Sequence, residues 1–160
     1  MKRRAITVTL VVGSLAAGLL AGCATGDKKM MMGSGDIVAD RQRIMKLNGA
    51  SWADAQAKIK AGNFEAVAVN AETMALNAEH IPMLFPKGSL TDKSKAKPEV
   101  WEKWNEFTAA AKTFQTESEK LRDAARAKNQ AQVEAIAKDF GRNACGTCHT
   151  PFRVPPPRQG

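Results

Sequence analysis

Apolar residues recur at helical spacing along almost the whole chain beyond residue 35. Ile37, Ile44, Met45, Trp52, Ala55 and Ile59 fall at steps of three, four and seven, which predicts a first helix over residues 36–61. Gly62-Asn63 ends it. Val67, Ala71, Met74 and Ala78 predict a second over 64–79, which Pro82 and Pro86 stop. Trp101, Trp104, Phe107, Ala111, Phe114, Leu121 and Ala125 repeat close to every seventh residue and predict a third running from Pro98 to about residue 125. Proline at a first-turn position with Glu99 beside it favours a helix start there. A stripe of that kind packs against other helices at a shallow angle. Val133, Ile136 and Phe140 open a fourth helix over 130–152, which Pro151 and Pro155 to Pro157 close.

Helix is favoured by composition as well, because the chain is rich in Ala, Lys, Glu and Gln and lacks tyrosine. Four segments, two pairs of them joined by short links, predict an all-α fold, an antiparallel up-down-up-down four-helix bundle. Between the second and third helices, the connection over 81–97 contains the apolar knot Ile81-Pro82-Met83-Leu84-Phe85-Pro86, which must pack on something. Topology brings Met45, His80, Met83, Phe85, Trp101 and Trp104 to the bundle end where the fourth helix finishes. Two polar residues, Arg41 and Asn48, interrupt the apolar stripe of the first helix, and buried polar groups need partners.

The amino terminus is of another kind. Lys2, Arg3 and Arg4 precede an uncharged apolar stretch from Ala5 to Gly22, which reads as a secretory signal peptide over residues 1–22. A retained membrane span of this length would be at the short limit. The ending Leu20-Ala21-Gly22-Cys23 resembles the lipobox of bacterial lipoproteins, and that resemblance implies acylation of Cys23 and attachment to the lipid bilayer. Ala24 in place of Asp implies the outer membrane. Cleavage after a small residue, releasing a soluble periplasmic protein, is the alternative. Residues 23–35 then read as a lipidated tether with no sustained periodicity, 36–153 as the helical domain and 154–160 as a Pro-rich tail. Losing the three basic residues of the leader leaves 21 against 16 acidic ones, a net charge of +5. Lysines interleaved with Glu and Asp make a solvated helical surface, and no nucleic-acid partner is expected.

Chemistry concentrates in Cys145-Gly146-Thr147-Cys148-His149. Two cysteines two residues apart, with histidine directly after, is the spacing of covalent haem attachment. Each thiol adds to one vinyl group of the porphyrin, and the adjacent imidazole of His149 ligates the iron. A structural zinc site would need a second pair of ligands, and only His80 and Cys23 are available. A thioredoxin-like motif would need a βαβ setting that this pattern lacks. With Cys23 acylated and Cys145 and Cys148 bonded to one haem c, none of the three cysteines is left for a disulfide.

The mature domain resembles the class II cytochromes c throughout. The strings that carry the resemblance are Arg41-Gln42-x-x-Met45-Lys46-x-Asn48-Gly49, Pro82-x-Leu84-Phe85-Pro86-x-Gly88-Ser89, Lys97-Pro98-Glu99-x-Trp101, and the haem motif followed by Phe152-Arg153. Two branches compete. Cytochromes c-prime are usually high-spin, with an open distal site for small gases. The low-spin cytochrome c-556 group takes a methionine of the first helix as sixth ligand, and the first two strings look more like it.

That resemblance implies Met45 and His149 as axial ligands; a methionine on an apolar helix face is otherwise core filler. His80 is the rival ligand, ahead of Met83, though a histidine there more often caps a helix. Arg41 is a candidate for the haem propionates, or else an arginine whose stem lies on the apolar seam. Arg153 resembles the family's basic residue beyond the motif. Phe85 gives the macrocycle an apolar wall, and Trp101 covers its edge or is simply core. The expected function is single-electron transfer between redox partner proteins of the bacterial envelope, without bond-making chemistry. The alternative is nitric oxide or another small gas at an open iron, and an envelope-stress adaptor of bare four-helix type ranks last. Class II relatives often dimerise, so a homodimer is also expected.

Overall fold

The computed structural model describes residues 35–156. The signal peptide, Cys23, the tether up to residue 34 and the last four residues of the tail lie outside them.

Helix α1, Ile37–Lys60, starts because the Asp36 carboxylate accepts hydrogen bonds from the backbone N–H groups of Val38 at 2.9 Å and Ala39 at 3.1 Å. It stops at Gly62, whose φ of +68° is the left-handed conformation that glycine takes without strain. Asn63 then caps α2, Phe64–His80, by accepting from Ala66 N–H at 3.1 Å. A three-residue link therefore reverses the chain. The same device recurs at the far pair, where Lys128 is left-handed and Asn129 caps α5, Gln130–Phe140, through Gln132 N–H at 3.1 Å.

The third helix departs from the sequence expectation. It breaks at Lys103 (φ −115°, ψ 48°) into a short α3, Glu99–Glu102, and a long α4, Trp104–Arg126. The break sets Val100 fully inside while turning Trp104 outward, so that this tryptophan, expected as core from its stripe, is 38 % exposed. The fourth helix departs too. After α5 the chain widens into a π-helical turn, Gly141–Gly146, before α6, Thr147–Phe152. A π turn carries an extra residue and changes the facing of all that follows, which places Cys145 to His149 off the stripe that Val133 and Phe140 define.

The four columns are α1, α2, α4 and the α5–α6 run, with the most extensive packing of α2 on α4 and of α1 on α2. Among the described residues there is no strand, only one antiparallel bridge between Ala96 and Arg153. Hydrogen bonds from Lys97 N–H to Phe152 C=O at 2.9 Å and from Val154 N–H to Lys95 C=O at 2.8 Å lock the end of the chain against the long connection. Polar ties join α2 to α4 as well: Arg122 reaches Glu72 at 3.1 Å, and the buried Gln115 donates to Glu79 at 2.8 Å.

The core is aromatic near the fourth column. Phe107 meets Phe85 at 4.8 Å and Phe152 at 5.4 Å between ring centroids, while Trp52 stacks on Phe140 at 4.4 Å. These two clusters leave unfilled space between them.

Candidate functional site

Two adjoining cavities occupy that space. The larger, about 380 Å³, is within the range of small-molecule sites and has Phe85, Val100, Phe107 and Phe152 as its apolar floor. The smaller, about 110 Å³, is bordered by Trp52, Ile81, Phe114 and Ala144. Three residues border both: Met45 from α1, and Cys148 and His149 from α6. Cys145, delivered by the π turn, borders the smaller one.

Electrostatics favour the ligating form of the histidine and keep the two thiols protonated. Burial, reinforced by the nearby Arg153 cation, lowers the basicity of His149, so its imidazole is neutral, the form that binds a metal. Burial raises the Cys145 thiol, and burial with the charge of Cys145 pushes Cys148 up to about 11. Neither cysteine is in a disulfide.

The chain's residues fit a covalently held haem on two counts. The motif opens onto a hollow with an apolar lining, as a porphyrin needs. In addition, Asn48 is 7 % exposed and borders the smaller cavity, yet its amide Nδ2 has no hydrogen-bond partner. Its Oδ1 is held by Asn77 Nδ2 at 2.8 Å, so the carboxamide is fixed with its free donor in a buried place. An orphaned donor costs free energy, and the wall is built for an occupant rather than for a void.

Arg41 borders the larger cavity, but most of its polar contacts go elsewhere. Its Nε–H donates to Leu84 C=O, one terminal nitrogen donates to Ser89 C=O at 3.0 Å, and the other to the Ser89 hydroxyl. Its guanidinium also lies 4.2 Å from the Phe85 ring centroid. Two of its five N–H groups remain over for a carboxylate. Trp101 borders neither cavity: its indole N–H is shared between Phe85 C=O and Pro86 C=O, both at 3.0 Å, so it holds the connection rather than the hollow. Arg153 is exposed at the edge of the larger cavity.

His80 and Met83 are not among the lining residues; His80 Nδ1 bonds to Leu76 C=O at 2.9 Å, one turn back, and Met83 is largely exposed. Of the candidate side chains, the fold therefore brings Met45, Phe85, Cys145, Cys148, His149, Arg41 and Arg153 together. Sequence reasoning passed over Lys46 and Lys95 at the mouth, and took Phe107 and Phe114 as core stripe only. Periodicity marks a residue as inward; it does not distinguish a packed interior from a lined hollow.

The comparisons agree with this geometry. A family model described as Cytochrome C' matches residues 36–153. Cytochrome c-556 of Agrobacterium fabrum is 35 % identical over 158 residues, covering 96 % of this chain and 97 % of its own. The crystal structure of cytochrome c' from Rubrivivax gelatinosus aligns with a TM-score of 0.65 at 26 % identity, over 75 % of this chain and 96 % of that one. A nitric oxide complex of a cytochrome c prime mutant from Alcaligenes xylosoxidans aligns at 0.67 with 23 % identity, over 76 % and 96 %.

Proposed function

Since this chain belongs to the cytochrome c' family, within the class II cytochromes c, and carries haem c, we propose that it is a one-electron carrier of the bacterial periplasm. In this reading His149 and Met45 are the two axial ligands, and acylated Cys23 holds the mature protein on the membrane. No helix among the described residues is long and apolar enough to cross a bilayer; in this reading the acyl chains on Cys23 make the attachment.

One observation carries the ligand assignment. Among the described residues Met45 is the only methionine bordering either cavity, and it borders both, as His149 does. A thioether from α1 and an imidazole from α6 thus border the same two cavities, which supports the pairing. Haem supplies a reversible one-electron couple, which Met/His ligation shifts toward the ferrous state.

What the chain supplies is rigidity and shielding. Covalent attachment at Cys145 and Cys148 fixes the group for the life of the protein. Phe85, Phe107 and Phe152 would keep water from a group held in the larger cavity, and Trp52 and Phe114 from one reaching into the smaller. Arg41 pins the connection, and with it Phe85, against α1. Ligands held this way change position little with charge state, which suits electron transfer.

The absorption spectrum of the oxidised and reduced protein tests the reading. Sharp low-spin bands with the near-infrared sulfur-to-iron feature are expected. A high-spin spectrum that shifts with carbon monoxide would overturn it in favour of small-gas binding. That second reading draws on the cavity of about 110 Å³ that Met45 and Asn48 border, Asn48 Nδ2 being without a partner, and on the nitric oxide complex formed by the mutant of the Alcaligenes protein.

A further inference from the structure

The charges of this molecule are unevenly matched. None of the ion pairs seen among the described residues involves a residue bordering the larger cavity. Among the described residues four cations border that cavity, Arg41, Lys46, Lys95 and Arg153, and no carboxylate does. Arg41 is buried and committed to Leu84 and Ser89. The other three are exposed and form the mouth.

They are also held in place. Lys46 stands on α1 directly after Met45. Lys95 and Arg153 lie on the two segments joined by the Ala96 to Arg153 bridge, and Lys97 Nζ adds a contact to Thr150 C=O at 3.3 Å on the same lip. Three elements far apart in sequence thus converge as a cationic rim. Two haem carboxylates at this mouth would balance two of the four charges and leave a surplus.

We propose that the rim formed by Lys46, Lys95 and Arg153 is the docking surface for an acidic face of the redox partner, so that encounter is steered to the mouth of the haem cavity. This rests on the electron-carrier reading. Charges of one sign around a low-dielectric hollow focus the field there and raise the encounter rate with oppositely charged partners. The effect is local, because salt screens it beyond about 8–10 Å.

Two small oxidants of opposite charge, ferricyanide and tris(phenanthroline)cobalt(III), give the test in stopped-flow oxidation of the reduced mature protein. The ferricyanide rate should fall about tenfold from low to physiological salt and the cobalt rate should rise. Both slopes should reverse when Lys46→Glu, Lys95→Glu and Arg153→Glu are combined. Lys58→Glu, Lys60→Glu and Lys128→Glu make the same net-charge change elsewhere; Lys58 lies about 18 Å along α1 from Lys46. They should leave the sign of both slopes unchanged. Equal slope changes in the two triple variants would overturn the proposal, since net charge alone would then govern the rate.

Polyglutamate, as an acidic polypeptide probe, should slow ferricyanide oxidation of the parent and not of the rim-reversed protein; equal slowing of both would count against docking at the rim. Binding of a non-acylated form to phosphatidylglycerol vesicles, abolished by rim reversal, would assign the rim to a lipid surface instead. If the triple variant loses haem, single Lys95→Glu should still give a part of the slope change, and an unaltered slope would sink the idea. The spectrum reports separately on the carrier reading, so a high-spin iron with intact salt slopes would reject that reading and not the charged rim.

Discussion

Arg41 stacks on Phe85, guanidinium carbon to ring centroid 4.2 Å, while hydrogen-bonding the residues on both sides of it, Leu84 and Ser89. One buried cation on α1 therefore fixes the connection that floors the larger cavity. Burial lowers its pKa, but the guanidinium remains charged, and its planar fork satisfies three acceptors at once.

Arg41→Lys keeps the charge and loses the fork. An ammonium group cannot meet the acceptors at Leu84 and Ser89 from the same position while stacking flat on Phe85. The variant should lose about 1.5–3 kcal/mol in chemical denaturation of the haem-loaded protein, the usual worth of a hydrogen bond to a charged group. Stability equal to the parent would show that the connection is held by its apolar residues alone.

Met45→Ala removes the thioether that borders both cavities. Loss of the near-infrared band, a high-spin spectrum and new carbon monoxide binding are the expected result. Truncation of a partly buried methionine should also cost about 2 kcal/mol, the low end for such a change. An unchanged low-spin spectrum would show that another residue is the sixth ligand.

Asn48→Leu takes away the orphaned Nδ2 together with the Oδ1 that Asn77 uses. Asn77 is only half-buried and can turn to water, so the loss and the gain should nearly offset. Urea denaturation of the haem-loaded variant should stay within about 1 kcal/mol of the parent. A loss well beyond that would mean the amide has an acceptor that only the loaded site provides.

Asp123→Asn tests the exposed charges on α4. A hydrogen bond from Arg122 holds the Asp123 carboxyl below its ordinary value, so the pair adds stability above the unfolded-state pKa, near 3.8, and loses it as pH falls through the lower folded value. The Asp123 side chain is exposed to solvent, so the contribution is within about 0.5 kcal/mol at neutral pH. Thermal unfolding of variant and parent should differ slightly at pH 7 and coincide near pH 2; a growing difference toward acid would contradict the sign.

What the sequence determined by itself was local. The stops at Gly62-Asn63 and Pro82 depend on neighbouring residues, and α1 and α2 begin and end within one residue of the spans that apolar spacing and those stops predict. The spacing of Cys145, Cys148 and His149 specified the cofactor, because thioether chemistry and iron ligation need those groups adjacent in the chain. Tertiary structure decided the rest. Where packing requires a helix to change facing, as at Lys103 and in the π turn of Gly141–Gly146, periodicity gives no warning: Glu99 to Trp104 holds no glycine or proline, and the π turn carries only the two glycines at its ends. The partners of Arg41 lie 43 and 48 residues away, and the rim of Lys46, Lys95 and Arg153 is assembled from three separate elements. Such meetings cost chain entropy that only the whole packed bundle repays, so no local pattern records them.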